Sequence, residues 1–137
     1  KFMQGKSADQ YKQMQIKTAS PGKLLLMLYQ GALKFMKLAK KNIKEGKIEE
    51  SHKNIIKAQD IILELQNTLD KENGGEIAVQ LESLYDFIYR ELIQANLNKN
   101  TKYLDNVIPL IEELFVTYKE IVMNKNTEDK KRVNIGV

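Results

Sequence analysis

The sequence predicts an all-α fold: an antiparallel up-down-up-down four-helix bundle with an extra N-terminal arm or short helix. Three observations carry this reading. Apolar residues recur at i, i+3/i+4 spacing over four long segments. Two prolines and seven glycines in 137 residues are too few for a β protein, whose turns recur every ~8–12 residues. Loops of ~3–6 residues between long helices force sequential neighbours to run antiparallel. The length suits one domain with a real core. It divides into a mobile N-terminal arm (residues 1–17), a helical bundle domain (18–123) and a polar C-terminal tail (124–137), in which Val133 and Ile135 are the residues able to dock.

The first helix has a marked start. Ser20 is a good N-cap, and Pro21 occupies the first helical position, where its missing N–H loses no bond. Gly46 supplies the stop after Lys44. At 100° per residue, Lys23, Gln30, Lys34, Lys37 and Lys41 form a narrow polar stripe. Leu24, Leu28, Gly31, Ala32, Phe35, Leu38 and Ala39 form a core face, and Leu26, Tyr29, Leu33 and Met36 form a second apolar strip. The combined apolar arc is roughly 260°, against the ~100° of an ordinary surface helix. The helix is therefore either buried among several others or uses one strip to meet a partner.

The second helix is expected from Ile48 to Lys71, with Ile48, Ile55, Ala58, Ile62, Leu65 and Leu69 inward, and the Glu72-Asn73-Gly74-Gly75 turn ends it. The third is expected from Glu76 to Asn98. Ile77, Leu81, Leu84, Ile88, Leu92 and Ala95 make its core face, flanked by Tyr85 and Tyr89. The fourth is expected from Thr101, as N-cap, to Met123, with Leu104, Ile108, Ile111, Leu114, Phe115, Tyr118 and Val122 inward. Pro109 removes the bond to the Asp105 carbonyl, so a kink or short break is expected there.

Charge is uneven along the chain. Residues 1–47 hold eleven lysines against Asp9 and Glu45, while residues 48–137 hold eleven basic against sixteen acidic side chains. The basic third either meets an acidic partner or is neutralised by the acidic helices beside it. Only Arg90 and Arg132 are arginines, which argues against nucleic-acid readout by arginine forks. No stretch reaches the ~18 apolar residues of a membrane span, so no membrane insertion is expected. Lys1 to Ser20 lacks the apolar region of a signal peptide. Absence of cysteine excludes disulfides and thiolate metal sites and suits a reducing cytosol.

Catalytic constellations are missing, so no enzyme is expected. Glu49 and His52 form a Glu-x-x-His, but di-iron bundles need two such motifs and two further glutamates. His52 is the only histidine. The residues after it, Lys53, Asn54, Ile55 and Ile56, are the wrong pattern for histidine phosphotransfer. Asp86 and Arg90, at i, i+4, are read as a modest surface pair. No cofactor or metal is implied, and what remains is a binding surface.

Several strings then fall in a familiar order. Tyr11-Lys-Gln with Ile16 precedes Thr18-Ala-Ser-Pro21, followed by Met27-Leu-Tyr29 with Gly31. Gly74-Gly75-Glu-Ile-Ala78 leads into Leu84-Tyr-Asp-Phe87, Tyr89-Arg90 and Ala95-Asn-Leu97. Together they resemble the flagellar secretion chaperone FliS family over about residues 11 to 122. Phe87, Lys23 and Pro109 depart mildly from the family pattern.

The resemblance implies a cytoplasmic, ATP-independent export chaperone. Such a protein binds the disordered C-terminal segment of flagellin one-to-one, prevents its premature polymerisation and assists delivery to the flagellar type III export gate. It further implies the export-gate protein FlhA as a partner and, in some bacteria, FliW. The candidate partner-binding residues are the strip Leu26, Tyr29, Leu33 and Met36, the arm residues Tyr11 and Ile16, and Tyr89 and Leu97 in the matching strings of the third helix. The arm is expected to act as a lid over an apolar groove, or Tyr11 as a contact for the export gate.

Overall fold

Ser20 opens the first helix as expected: its Oγ accepts from the Lys23 N–H at 3.3 Å, and its carbonyl accepts from the Leu24 N–H. In the computed structural model, which describes residues 20–127 and side chains to Asn124, four helices follow in order. They are α1 (Pro21–Lys44), α2 (Ile48–Asn67), α3 (Gly75–Asn98) and α4 (Lys102–Thr127). α1 packs between α2 and α4, and α3 closes the square diagonally opposite α1. Cross-helix pairs fix the antiparallel sense. Lys40 and Lys37 meet Asp105 and Glu112 in reversed order, and His52 and Gln66 meet Asn96 and Asp86 in reversed order. The fold is the antiparallel four-helix bundle that the periodicity predicts, without strands among the described residues. The arm with Tyr11 and Ile16, and the tail with Val133 and Ile135, lie outside those residues.

Each helix contributes one buried row. α1 gives Leu25, Tyr29, Ala32, Met36 and Ala39, α2 gives Ile55, Ala58, Ile62 and Leu65, and α3 gives Leu81, Tyr85, Ile88, Leu92 and Ala95. α4 adds Leu104, Val107, Ile111 and Tyr118. Each large side chain in this set contributes about 1.5–3 kcal/mol by leaving water. Gly31 lets α1 and α2 approach closely, since a Cβ there would sit 3.0 Å from Ile61 Cδ1.

The wide apolar arc of α1 follows from the square. Its central row points into the core, while residues on either side face one neighbouring helix each. Lys37 and Lys40 reach α4, and Leu26 and Leu33 share that flank, half-buried and packed against the core. Gly31 and Asn42 face α2, and Leu28 and Phe35 share that opposite flank. The central row is thus shifted from the expected core face. Tyr29 and Met36, read as part of a separate strip, belong to the core, and Leu38, read as core, is exposed.

Other boundaries moved for local reasons. α2 ends at Asn67 rather than Lys71, because Thr68 Oγ1 donates to the Leu65 carbonyl and Asp70 accepts from the Asn73 backbone N–H at 3.0 Å. The Asn73 backbone N–H, with the Asn73 side-chain amide, holds the Asp70 carboxyl below the usual carboxylate range. Tyr85, expected beside the α3 core face, sits at its centre, and Ile77 lies outside it. At α4 the side-chain cap is Asn100, whose Oδ1 accepts from the Lys102 N–H at 2.9 Å, rather than Thr101. The helix runs unbroken through Pro109 and on to Thr127, four residues past the expected end. Pro109 faces solvent, where water can bond the Asp105 carbonyl it leaves without an amide partner. Asp86 accepts from Gln66 Nε2 at 2.6 Å across α2 and α3, so its bond goes to α2 rather than to Arg90.

Candidate partner-binding surface

The sequence-derived candidates separate sharply by burial. Tyr29 and Met36 are 0% exposed and present no surface to a partner. Tyr29 instead binds the core together. Its hydroxyl lies 2.6 Å from that of Tyr85, and its ring centroid is 6.0 Å from that of Tyr118. Burial pushes the hydroxyls of Tyr29 and Tyr85 well above the ordinary phenol range and raises that of Tyr118, because an anion there would lose its hydration. Leu26, Leu33 and Tyr89 are half-buried, and Leu97 is 74% exposed.

A different surface emerges between α2 and α3. On α2, Ile48, His52, Ile56, Leu63 and Gln66 recur at i, i+4 and i+7 along one stripe. On α3, Asp86, Tyr89, Ile93, Asn96 and Leu97 do the same. The pairs His52–Asn96 and Gln66–Asp86 tie the stripes together, one near each end. Between and beside these ties, Ile48, Ile56, Leu63, Ile93 and Leu97 stand exposed, with Val79 further along α3. These six are more than half of the eleven large hydrophobic side chains exposed among the described residues. Exposed apolar side chains gathered on one face make it the candidate partner-binding surface.

Sequence reasoning found Tyr89 and Leu97 on this seam but missed Ile56, Leu63 and Ile93, and placed Ile48 in the core. A signal was available in adjacent apolar residues such as Ile55-Ile56 and Leu92-Ile93. A helix with a single buried face has no use for both members of such a pair.

At the end nearest the short loops, the seam widens into a groove of about 520 Å³, walled by Ile48 and Leu97 and rimmed by Glu49, His52, Lys53, Asn96 and Lys99. Lys99 adopts φ 48°, a left-handed C-cap that glycine or asparagine takes more readily. Its ammonium donates to Asn96 Oδ1. That bond orients the Asn96 amide, whose Nδ2 lies 3.0 Å from His52 Nδ1. The same amide's Oδ1 lies 3.2 Å from His52 Nδ1, so the ring is held against Asn96 from α2.

The basic first third is partly neutralised within the bundle, since Lys37 pairs with Glu112 at 3.2 Å and Lys40 with Asp105 at 2.6 Å. Among the described residues no group of three or more histidine, cysteine, aspartate or glutamate side chains could hold a metal ion, and no helix is long and apolar enough to cross a membrane.

Comparison with known proteins gives this surface its context. The profile of the family described as flagellar protein FliS matches residues 3–126. The flagellar secretion chaperone FliS of Bacillus subtilis is 36% identical over 118 residues, covering 86% of this chain and 87% of its own. That of Campylobacter jejuni is 37% identical over 115 residues, covering 84% and 90%. That of Vibrio cholerae is 36% identical over 107 residues, covering 78% and 79%. A crystal structure of a bacterial flagellar chaperone superposes with a TM-score of 0.72 over 88% of this chain and 98% of that one, at 19% identity, and shows the same fold. All three relatives are named as flagellar secretion chaperones. The chain belongs to the FliS family of flagellar secretion chaperones.

Proposed function

We propose that this protein is a cytoplasmic export chaperone whose α2–α3 seam receives the disordered C-terminal segment of flagellin. The observation that carries the reading is the concentration of exposed aliphatic side chains along that seam. A segment that later polymerises through amphipathic helices must hide their apolar faces beforehand, and a helix laid along a groove does so with anchors at i, i+3/i+4 and i+7. Ordering a disordered client costs a few kcal/mol, so an extended seam suits it better than a single pocket. Covering the client's helices would prevent premature polymerisation and keep the segment competent for the export gate.

FlhA and, in some bacteria, FliW are the further partners in this reading. The arm residues Tyr11 and Ile16 serve either as a lid over the apolar surface or as gate contacts. Leu26 and Leu33 contribute at most the part of their surface left open beside α4. Calorimetric titration of the full chain with the flagellin C-terminal segment should give a one-to-one complex with shallow salt dependence. Absence of binding, or a steep loss of binding with salt, would count against the reading.

A further inference from the structure

Antiparallel packing turns the uneven charge of the chain into a spatial gradient. The half of the bundle nearest the short loops, residues 33–57 and 87–114, carries eleven basic against seven acidic side chains. The opposite half, residues 20–32, 58–86 and 115–124, carries three basic against eight acidic. The α2–α3 seam follows the same gradient. Its loop end presents Lys53 and Lys99 against Glu49, whereas its far end presents Asp60, Glu82 and Asp86 against Lys71, which already pairs with Glu82.

The groove at the loop end is built as a donor rim around an apolar floor. Lys99 is held in place by its left-handed backbone and its bond to Asn96, and the same amide lies against the His52 ring. Partial desolvation holds the Lys99 ammonium below its ordinary pKa, so a carboxylate beside it would relieve an existing electrostatic penalty. Ile48 and Leu97 leave room between them for an aliphatic side chain.

The geometry points to a polarised occupant: an amphipathic client helix that lies along the seam with its acidic end, next to an aliphatic anchor, in the Ile48–Leu97 groove against Lys53 and Lys99. The helix dipole favours acidic residues at a helix N-terminus, so this places the client helix parallel to α2. The inference rests on the proposed client surface and adds its direction and charge requirement.

The test is a calorimetric titration of the full chain with the flagellin C-terminal segment at low and high salt. Four proteins are compared: the unchanged chain, Lys53→Glu with Lys99→Glu, Lys99→Gly, and Ile56→Ser with Ile93→Ser. The charge reversal should weaken binding roughly tenfold at low salt, with most of the difference gone at high salt. Changing the client's acidic residues to lysine should restore binding to the reversed protein. Lys99→Gly relieves the left-handed strain, so it should fold at least as well as the unchanged chain while binding several-fold more weakly.

If charge reversal and Lys99→Gly bind normally while the Ile56/Ile93 variant does not, the polarity is wrong and the client surface stands. If neither the charge nor the apolar variants alter binding, or the unchanged chain does not bind, both fail together.

Discussion

The hydroxyls of Tyr29 and Tyr85 lie 2.6 Å apart inside the bundle, joining α1 to α3 across its diagonal. Both side chains are fully buried, so neither hydroxyl can exchange its partner for bulk water. Removing one leaves the other short of a hydrogen bond, which costs about 1–3 kcal/mol, whereas removing both leaves no orphan. Urea unfolding of Tyr29→Phe, Tyr85→Phe and the double variant should therefore show a double-variant loss smaller than the sum of the single losses.

The same tyrosines set an alkaline limit on stability. Burial raises both hydroxyl pKa values above the 10.0 of an exposed phenol. The folded state thus holds its protons where the unfolded chain has begun to lose them. Stability from this source is fully present below pH 10 and declines as the pH rises beyond it, at up to about 1.4 kcal/mol per pH unit for each tyrosine. Denaturant midpoints measured on either side of pH 10 should fall more steeply for the unchanged chain than for Tyr29→Phe with Tyr85→Phe.

Gly31 is a packing requirement of the α1–α2 contact. With a Cβ only 3.0 Å from Ile61 Cδ1, alanine needs a small shift by a flexible side-chain end, which its better helix propensity partly offsets. Gly31→Leu has no such escape and should lose about 1–3 kcal/mol in thermal or urea unfolding.

Lys99 carries a left-handed backbone that costs a non-glycine residue about 1 kcal/mol. Lys99→Gly should raise the urea midpoint at unchanged denaturant slope, a gain of up to about 1 kcal/mol from which the lost bond to Asn96 subtracts a part. A stability gain paired with weaker client binding would mark the position as one where strain serves recognition.

The bundle was legible in the sequence because helix periodicity, the Ser20-Pro21 start and the Gly46 stop are local signals that tertiary packing did not override. The partner surface was less legible. A periodic plot counts apolar residues around one helix but cannot say which neighbour each flank meets. Leu26 and Leu33 therefore looked like surplus surface until α4 covered part of it, and Tyr29 looked peripheral until Tyr85 arrived from the diagonal helix. Ile56 and Ile93 posed the reverse problem. Each adjoins a residue that does enter the core, and only the assembled square shows that they stand outside it on one shared seam.

The central claim is that this seam holds the client, and Ile56→Ser with Ile93→Ser tests it most directly. Both side chains are more than a third exposed, so the double variant should keep its helical circular dichroism and most of its stability. Titrated with the flagellin C-terminal segment, it should bind at least tenfold more weakly than the unchanged chain, as expected for two lost apolar anchors. Unchanged affinity in a folded double variant would contradict the account.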